Sequence, residues 1–132
     1  MKKKILVVIA NYYESISDGL LNSTKEALKV PFDLIYVPGI FEIPVTIAKN
    51  IKKYDGFIAL GCVIKGETPH FDFISRASID GIMKLSIENK KPIGNGIITC
   101  LNKEQALLRR KKGREAATAL LSVLDSVKTL AE

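Results

Sequence analysis

"GFIALGCVI", residues 56–64, is nine residues without a charge, bounded by Asp55 before it and Lys65-Gly66 after it. Its apolar residues run continuously instead of alternating, the pattern of a strand covered on both faces, as in a parallel sheet. Three other runs share that character: "KILVVIA" (4–10), "DLIYVP" (33–38) and "PIGNGIIT" (92–99). The segments between them have a helical period. Ile16, Leu20, Thr24 and Leu28 share one face of the first, and Ile74, Ala77, Gly81 and Leu85 share one face of a later one. A shorter helix is expected from about Glu42 to Lys53, with Pro44 near its start.

After the fourth run, Asn102 and Gln105 have capping-box spacing. A long amphipathic pattern follows through Ala117, Leu120, Leu121, Leu124 and Val127, with Gly113 read as a break or kink. The order β-α-β-α-β-α-β-α predicts an α/β fold: a three-layer α/β/α sandwich around a four-stranded parallel sheet, flavodoxin-like, with right-handed crossovers. The 132 residues suit one domain, 1–132. No repeat, linker or low-complexity tract interrupts them.

Composition narrows the function. Hydrophobic residues make up 47% and charged residues 26%, an ordinary globular balance. The net charge of +6 is local. Lys2, Lys3 and Lys4, with Arg109, Arg110, Lys111, Lys112 and Arg114, hold eight of the 20 basic residues, and the other 12 face 14 acidic ones. Such a surface offers two anion-binding spots and no basic stripe with interleaved aromatics, which argues against a nucleic-acid partner. The opening "MKKKILVVIA" is too short in its apolar part for a signal peptide, and no run is long enough to cross a bilayer. A cytoplasmic protein with no membrane partner is expected. Cys62 and Cys100 lie in apolar runs and read as buried free thiols; with a single histidine, no metal site is expected.

In an open parallel sheet, ligands bind beyond the carboxyl ends of the strands, which directs attention to "NYYES", "PGIFEIP", "KGETPHFD" and "TCLNKEQ". Thr68 is a good N-cap and Pro69 a good first helical residue, so His70 falls in the first turn of a helix. Backbone N–H groups there can receive an anion, and Gly66 allows close approach. The helix dipole disfavours an imidazolium, leaving His70 ready to take a proton; the plainer alternative is a solvated residue at an ordinary helix start. Phe41 and Glu42 could cover a ring and accept hydrogen bonds, or serve only as a strand–helix turn. Tyr12 and Tyr13 could form a stacking face or be half-buried in an ordinary way. "RRKKGR" (109–114) is either a solvated helix end or the source of one phosphate-binding arginine. Lys65 lacks any sign of the burial that a Schiff-base lysine requires. No P-loop or complete dinucleotide fingerprint is present.

Taken in order, "ANYYESIS", "VPGIFEIP", "ALGCVIKGETPHFD", "GNGIIT" and "KEQALLRR" resemble the lumazine synthase family, from about Lys4 to the C-terminal helix. That resemblance implies a cofactor-free transferase of riboflavin biosynthesis. Its two small-molecule substrates are 5-amino-6-(D-ribitylamino)uracil and 3,4-dihydroxy-2-butanone 4-phosphate. The products are 6,7-dimethyl-8-ribityllumazine, phosphate and water. It implies His70 as general base and acid, Tyr12 stacking on the pyrimidine, and Gly39, Ile40, Phe41 and Glu42 around the ribityl chain and ring edge. Cys62, Val63 and Ile64 would line the site, Glu67 and Thr68 would hold the phosphate loop, and Arg109 would bind phosphate.

Three positions depart from the pattern: Asn95 stands where many members carry phenylalanine, Ile40 where a smaller residue is usual, and Lys112 comes early after a shortened segment. A homo-oligomer is implied, a pentamer or an assembly built from pentamers. Rival readings are an archaeal-type riboflavin synthase, which would dismutate two lumazines, and a flavin-binding module without turnover.

Overall fold

The computed structural model describes residues 2–131. Four strands, β1 (Ile5–Ala10), β2 (Asp33–Val37), β3 (Gly56–Ile64) and β4 (Ile93–Cys100), form one all-parallel sheet in the order β2-β1-β3-β4. Three helices connect them, α1 (Glu14–Ala27), α2 (Ile43–Asn50) and α3 (His70–Asn89), and two more, α4 (Lys103–Leu108) and α5 (Lys112–Leu124), follow β4. A single 3₁₀ turn, Ile40–Glu42, joins β2 to α2. The expected three-layer α/β/α sandwich is present. Among the described residues, no helix is long and apolar enough to cross a membrane.

The continuous apolar runs follow from burial on both faces. Val7, Ile9, Ile58 and Leu60 point to one side, where Ile16 and Leu20 of α1 and Ala116, Ala117 and Leu120 of α5 cover them. Leu6, Val8, Phe57 and Ala59 point to the other, against Ile43 and Ile47 of α2 and Ile82 of α3. At about 25 cal/mol per Å² of apolar surface, the central strands β1 and β3 supply a large share of the burial energy. The glycines of "GNGIIT" are explained by packing. A Cβ at Gly94 would overlap the Ala116 carbonyl, and one at Gly96 would overlap Leu60 Cδ2 of β3 and come within 3.3 Å of Ala116 Cβ, so α5 lies close over β4.

Several local expectations need correction. The pause between α4 and α5 falls at residues 109–111, and Gly113 lies inside α5, where a Cβ would overlap the Leu20 carbonyl of α1. It is a helix-contact residue instead of a break. Val127 lies beyond the end of α5 and is exposed. On α3, Ser78 and Ile82 are the buried residues, and Ala77 faces solvent. The shorter helix ends at Asn50, three residues before Lys53. The capping box at α4 forms with one change: Asn102 Oδ1 accepts from Gln105 N at 2.9 Å, while Gln105 Oε1 accepts from Leu101 N at 2.8 Å in place of the cap's own N–H.

Candidate active site

The strand order reverses between β1 and β3: the chain leaves β1 toward β2 on one side and returns across it to β3 on the other. The connections therefore diverge beyond the carboxyl ends of these strands and leave a crevice. A cleft of about 550 Å³ opens there, lined by Tyr12, Tyr13, Pro38, Gly39, Ile40, Phe41, Glu42, Cys62, Val63, Ile64, His70 and Ile74.

Its frame is tied at each strand end. Asn11 N donates to Val37 O (3.0 Å) and Lys65 N to Cys100 O (2.9 Å), extending the ladder past the last paired residues. The buried Ser17 hydroxyl donates to Ala10 O at 2.8 Å, so α1 holds the end of β1. The Tyr12 ring is exposed, and the half-buried Tyr13 meets it edge-on, with centroids 4.9 Å apart. Phe41 is 62% exposed, an uncovered aromatic face beside the cleft. The Glu42 carboxylate folds back toward Gly39, where a Cβ would sit 3.2 Å from Oε1. Glu42 supplies the carboxylate and His70 the imidazole among the lining residues, beside the Tyr12 and Tyr13 hydroxyls and the Cys62 thiol, in a wall that is otherwise aliphatic and aromatic.

His70 is the first residue of α3, one position earlier in the helix than the spacing predicts. Pro69 takes the cap position, its carbonyl accepting from Asp72 N (3.0 Å) and Phe73 N (3.2 Å). The Thr68 hydroxyl accepts from His70 N at 3.4 Å, so threonine still serves the helix start from one residue further out. The His70 residue is exposed. Burial raises the Tyr13 phenol above its usual value, with Tyr12 and Cys62 adding to the effect. Burial, reinforced by the neighbouring Cys100, pushes the Cys62 thiol up to about 12, so it is an inert wall residue. Both cysteines are free and buried.

Nine of the thirteen residues singled out from the sequence thus meet in one cleft: Tyr12, Gly39, Ile40, Phe41, Glu42, Cys62, Val63, Ile64 and His70. The other four do not line it. Glu67 and Thr68 lie on the exposed loop between β3 and α3. Arg109 caps the end of α4, and its Nη1 donates to Thr99 O at 3.3 Å. Thr99 is the register partner of Val63, which places this guanidinium one strand away from the cleft wall. Asn95 sits midway along β4, paired with Ala59, and its Oδ1 accepts from Ile97 N at 3.0 Å.

The remaining basic residues of 109–114 are largely occupied. Arg110 covers Gly19 and donates to Leu107 O, Arg114 pairs with Glu26 at 3.2 Å, and Lys112 lies 3.8 Å from Glu115. Sequence reasoning missed Pro38 and Ile74 as lining residues. Pro38 immediately follows β2, and Ile74 is one helical turn past His70, so proximity to recognised residues was the available signal.

Known proteins resemble this chain along nearly its whole length. Residues 2–128 match the family model described as 6,7-dimethyl-8-ribityllumazine synthase. The chain is 44% identical to the 6,7-dimethyl-8-ribityllumazine synthase of Bartonella tribocorum, an alignment covering 94% of this chain and 91% of that protein. It is 42% identical to the enzyme of the same name from Agrobacterium fabrum (98% and 97% covered) and 40% identical to that of Afipia carboxidovorans (98% and 88% covered).

Proposed function

The chain belongs to the 6,7-dimethyl-8-ribityllumazine synthase family, and from that premise we propose that its cleft joins 5-amino-6-(D-ribitylamino)uracil to 3,4-dihydroxy-2-butanone 4-phosphate. The protein is a lumazine synthase of riboflavin biosynthesis, a transferase acting on small molecules. The observation that carries the assignment of the reaction to this cleft is the meeting of Tyr12, Phe41, Glu42 and His70 at the ends of three strands.

The chemistry needs two substrates held together, protons moved, and an anion expelled. Tyr12 and Phe41 offer exposed ring faces for the planar pyrimidine, and the Glu42 carboxylate accepts hydrogen bonds from ribityl hydroxyls or ring N–H groups. The uracil's free amine attacks the ketone carbonyl, water leaves and an imine forms. Loss of a proton next to that imine then drives out phosphate, and the ribityl-bearing nitrogen closes the ring on the remaining carbonyl with loss of a second water, giving the lumazine. His70, at the mouth of the cleft, takes and returns these protons. Arg109 and the N–H groups around Glu67 and Thr68 neutralise the phosphate as it departs. Holding both reactants in one crevice supplies much of the acceleration, since effective molarities in oriented pairs are large.

The protein works as a homo-oligomer, built as a pentamer as the family resemblance implies. In support, Val45 of α2 and Phe73, Met83 and Ile87 of α3 are all more than half exposed, a set of large apolar side chains unusual on a monomer's surface.

The test mixes purified protein with both substrates and follows lumazine by absorbance and phosphate release in parallel. Equal amounts of the two products are expected. Phosphate release without lumazine, or neither product from folded protein, would overturn the reading.

A further inference from the structure

Ile40 stands where the cleft meets the core. It opens the 3₁₀ turn directly after Gly39, lines the cleft, and is only 6% exposed. Its δ1 methyl lies in the hollow above Gly61 of β3, where a Cβ would overlap it, would be 3.7 Å from Ile40 Cγ1, and would come within 3.0 Å of Ala10 Cβ. Behind the side chain are therefore the backbone of β3 and the end of β1. To one side is α3, whose buried Ser78 hydroxyl donates to the Ile40 carbonyl at 3.4 Å. The small part of Ile40 left exposed lines the cleft.

We propose that Ile40 and Gly61 form a size-setting pair: Ile40 is a specificity-determining residue that closes the inner wall of the cleft, and the missing side chain at Gly61 keeps Ile40 out of the space the substrate uses. The inference rests on the reading of this cleft as the site of the ribityl-bearing substrate. It adds that the limit on that substrate's side chain is set by one aliphatic residue and the hollow behind it. The class of compound discriminated is the 5-amino-6-(alkylamino)uracil whose polyol chain differs in length.

The two residues predict opposite perturbations. Gly61→Ala puts a methyl where the Ile40 δ1 methyl lies; Ala10 blocks retreat, so Ile40 swings forward and the cleft shrinks. Ile40→Ala empties the hollow and joins it to the cleft, which deepens. In the double variant the methyl introduced by Gly61→Ala partly refills the hollow without displacing anything into the cleft, so the wall returns toward its original position. One methylene against a close-fitting apolar wall changes discrimination by roughly 10- to 200-fold.

The experiment measures kcat/KM for the ribityl substrate and for an analogue one carbon longer, each with the same phosphorylated ketone. Ile40→Ala is expected to raise the ratio of long to natural substrate at least tenfold. Gly61→Ala is expected to lower kcat/KM for the natural substrate at least tenfold, mainly through KM, and the double variant to recover most of that loss. If Ile40→Ala does not fold, Ile40→Val carries the same test with a smaller shift in the same direction. An active wild type whose ratio is unchanged in the Ile40 variant, or a double variant no better than Gly61→Ala, overturns the pair while leaving the proposed function standing. A wild type inactive with the natural substrates overturns both.

Discussion

Arg109→Ala removes a guanidinium on which the fold hardly depends. Arg109 is exposed, and its side chain makes one long hydrogen bond, Nη1 to Thr99 O at 3.3 Å. Its main chain caps α4 through Arg109 N to Ala106 O, which alanine preserves. Stability should therefore change by no more than about 0.5 kcal/mol. The effect on binding is different. Thr99 pairs with Val63 of the cleft wall, and adjacent strands lie about 4.8 Å apart, so under the proposed function a modest swing would bring the guanidinium to the phosphate of the ketone. A hydrogen bond to a charged group contributes about 1.5–3 kcal/mol, and about 1.4 kcal/mol is a factor of ten. The KM for the phosphorylated ketone should rise roughly 10- to 150-fold, with the KM for the uracil unchanged. Arg109→Lys keeps the charge and loses the two-pronged geometry, so it should fall between. Lumazine absorbance and phosphate release, recorded while each substrate is varied in turn, separate the two constants. A ketone KM within twofold of wild type, or an equal rise in both constants, would refute the placement of phosphate at this end of the sheet.

His70→Ala should lower kcat by about 10² to 10⁴ at most, the usual span of general acid–base assistance, and leave measurable turnover because orientation survives; complete inactivity in folded protein would contradict this. Cys62 gives a pH prediction. Its folded thiol titrates at about 12 against an ordinary 9.0, so the folded state keeps a proton that the unfolded chain releases. This contribution is fully present below pH 9 and is lost as pH rises toward 12, so denaturant melts across that range should show a steeper loss of stability in wild type than in Cys62→Ala. Met83→Glu combined with Ile87→Glu places two charges on the exposed apolar side of α3; sedimentation velocity should show the assembly falling to smaller species, with the melting temperature of the isolated subunit little changed.

How much of this was legible depended on how strongly each residue's environment constrained it. β3 could be read to its exact ends because a nine-residue run buried on both faces excludes every charge, and charges stand on either side. The face of α3 was legible only in part: Ile74 and Leu85 pack against the core and Gly81 lies against Pro44, but Ala77 faces solvent and Ser78 and Ile82 are the buried residues. That helix carries large apolar residues toward the sheet, at Ile74 and Ile82, and away from it, at Phe73, Met83 and Ile87, so its period alone does not say which side the sheet occupies. Gly113 illustrates a second limit. A glycine in a helical pattern signals equally a break or a close contact, and only the position of α1 decides between them. The cleft was legible because the strand ends are, and in a parallel sheet the strand ends dictate where side chains converge.

Asn95 shows where a single chain stops being a sufficient frame. Its side chain lies on the α2/α3 face of the sheet, like those of its alternate neighbours Ile93 and Ile97. From Asn95 to Thr99, at the level of the cleft, the strand advances four residues, about 13 Å at 3.3 Å per residue. An asparagine side chain cannot cover that distance, and its Oδ1 is already turned back to Ile97 N. Yet β4 is an edge strand, Asn95 is exposed, and the nearby α3 presents Met83 and Ile87 to the outside. The family resemblance implies that this position closes the cleft of a neighbouring copy, and its distance from its own cleft favours that proposal. Replacing Asn95 should then change turnover in the assembled protein and have no effect in species dissociated by the Met83 and Ile87 substitutions. An equal effect in both would return Asn95 to a purely local role in its own strand.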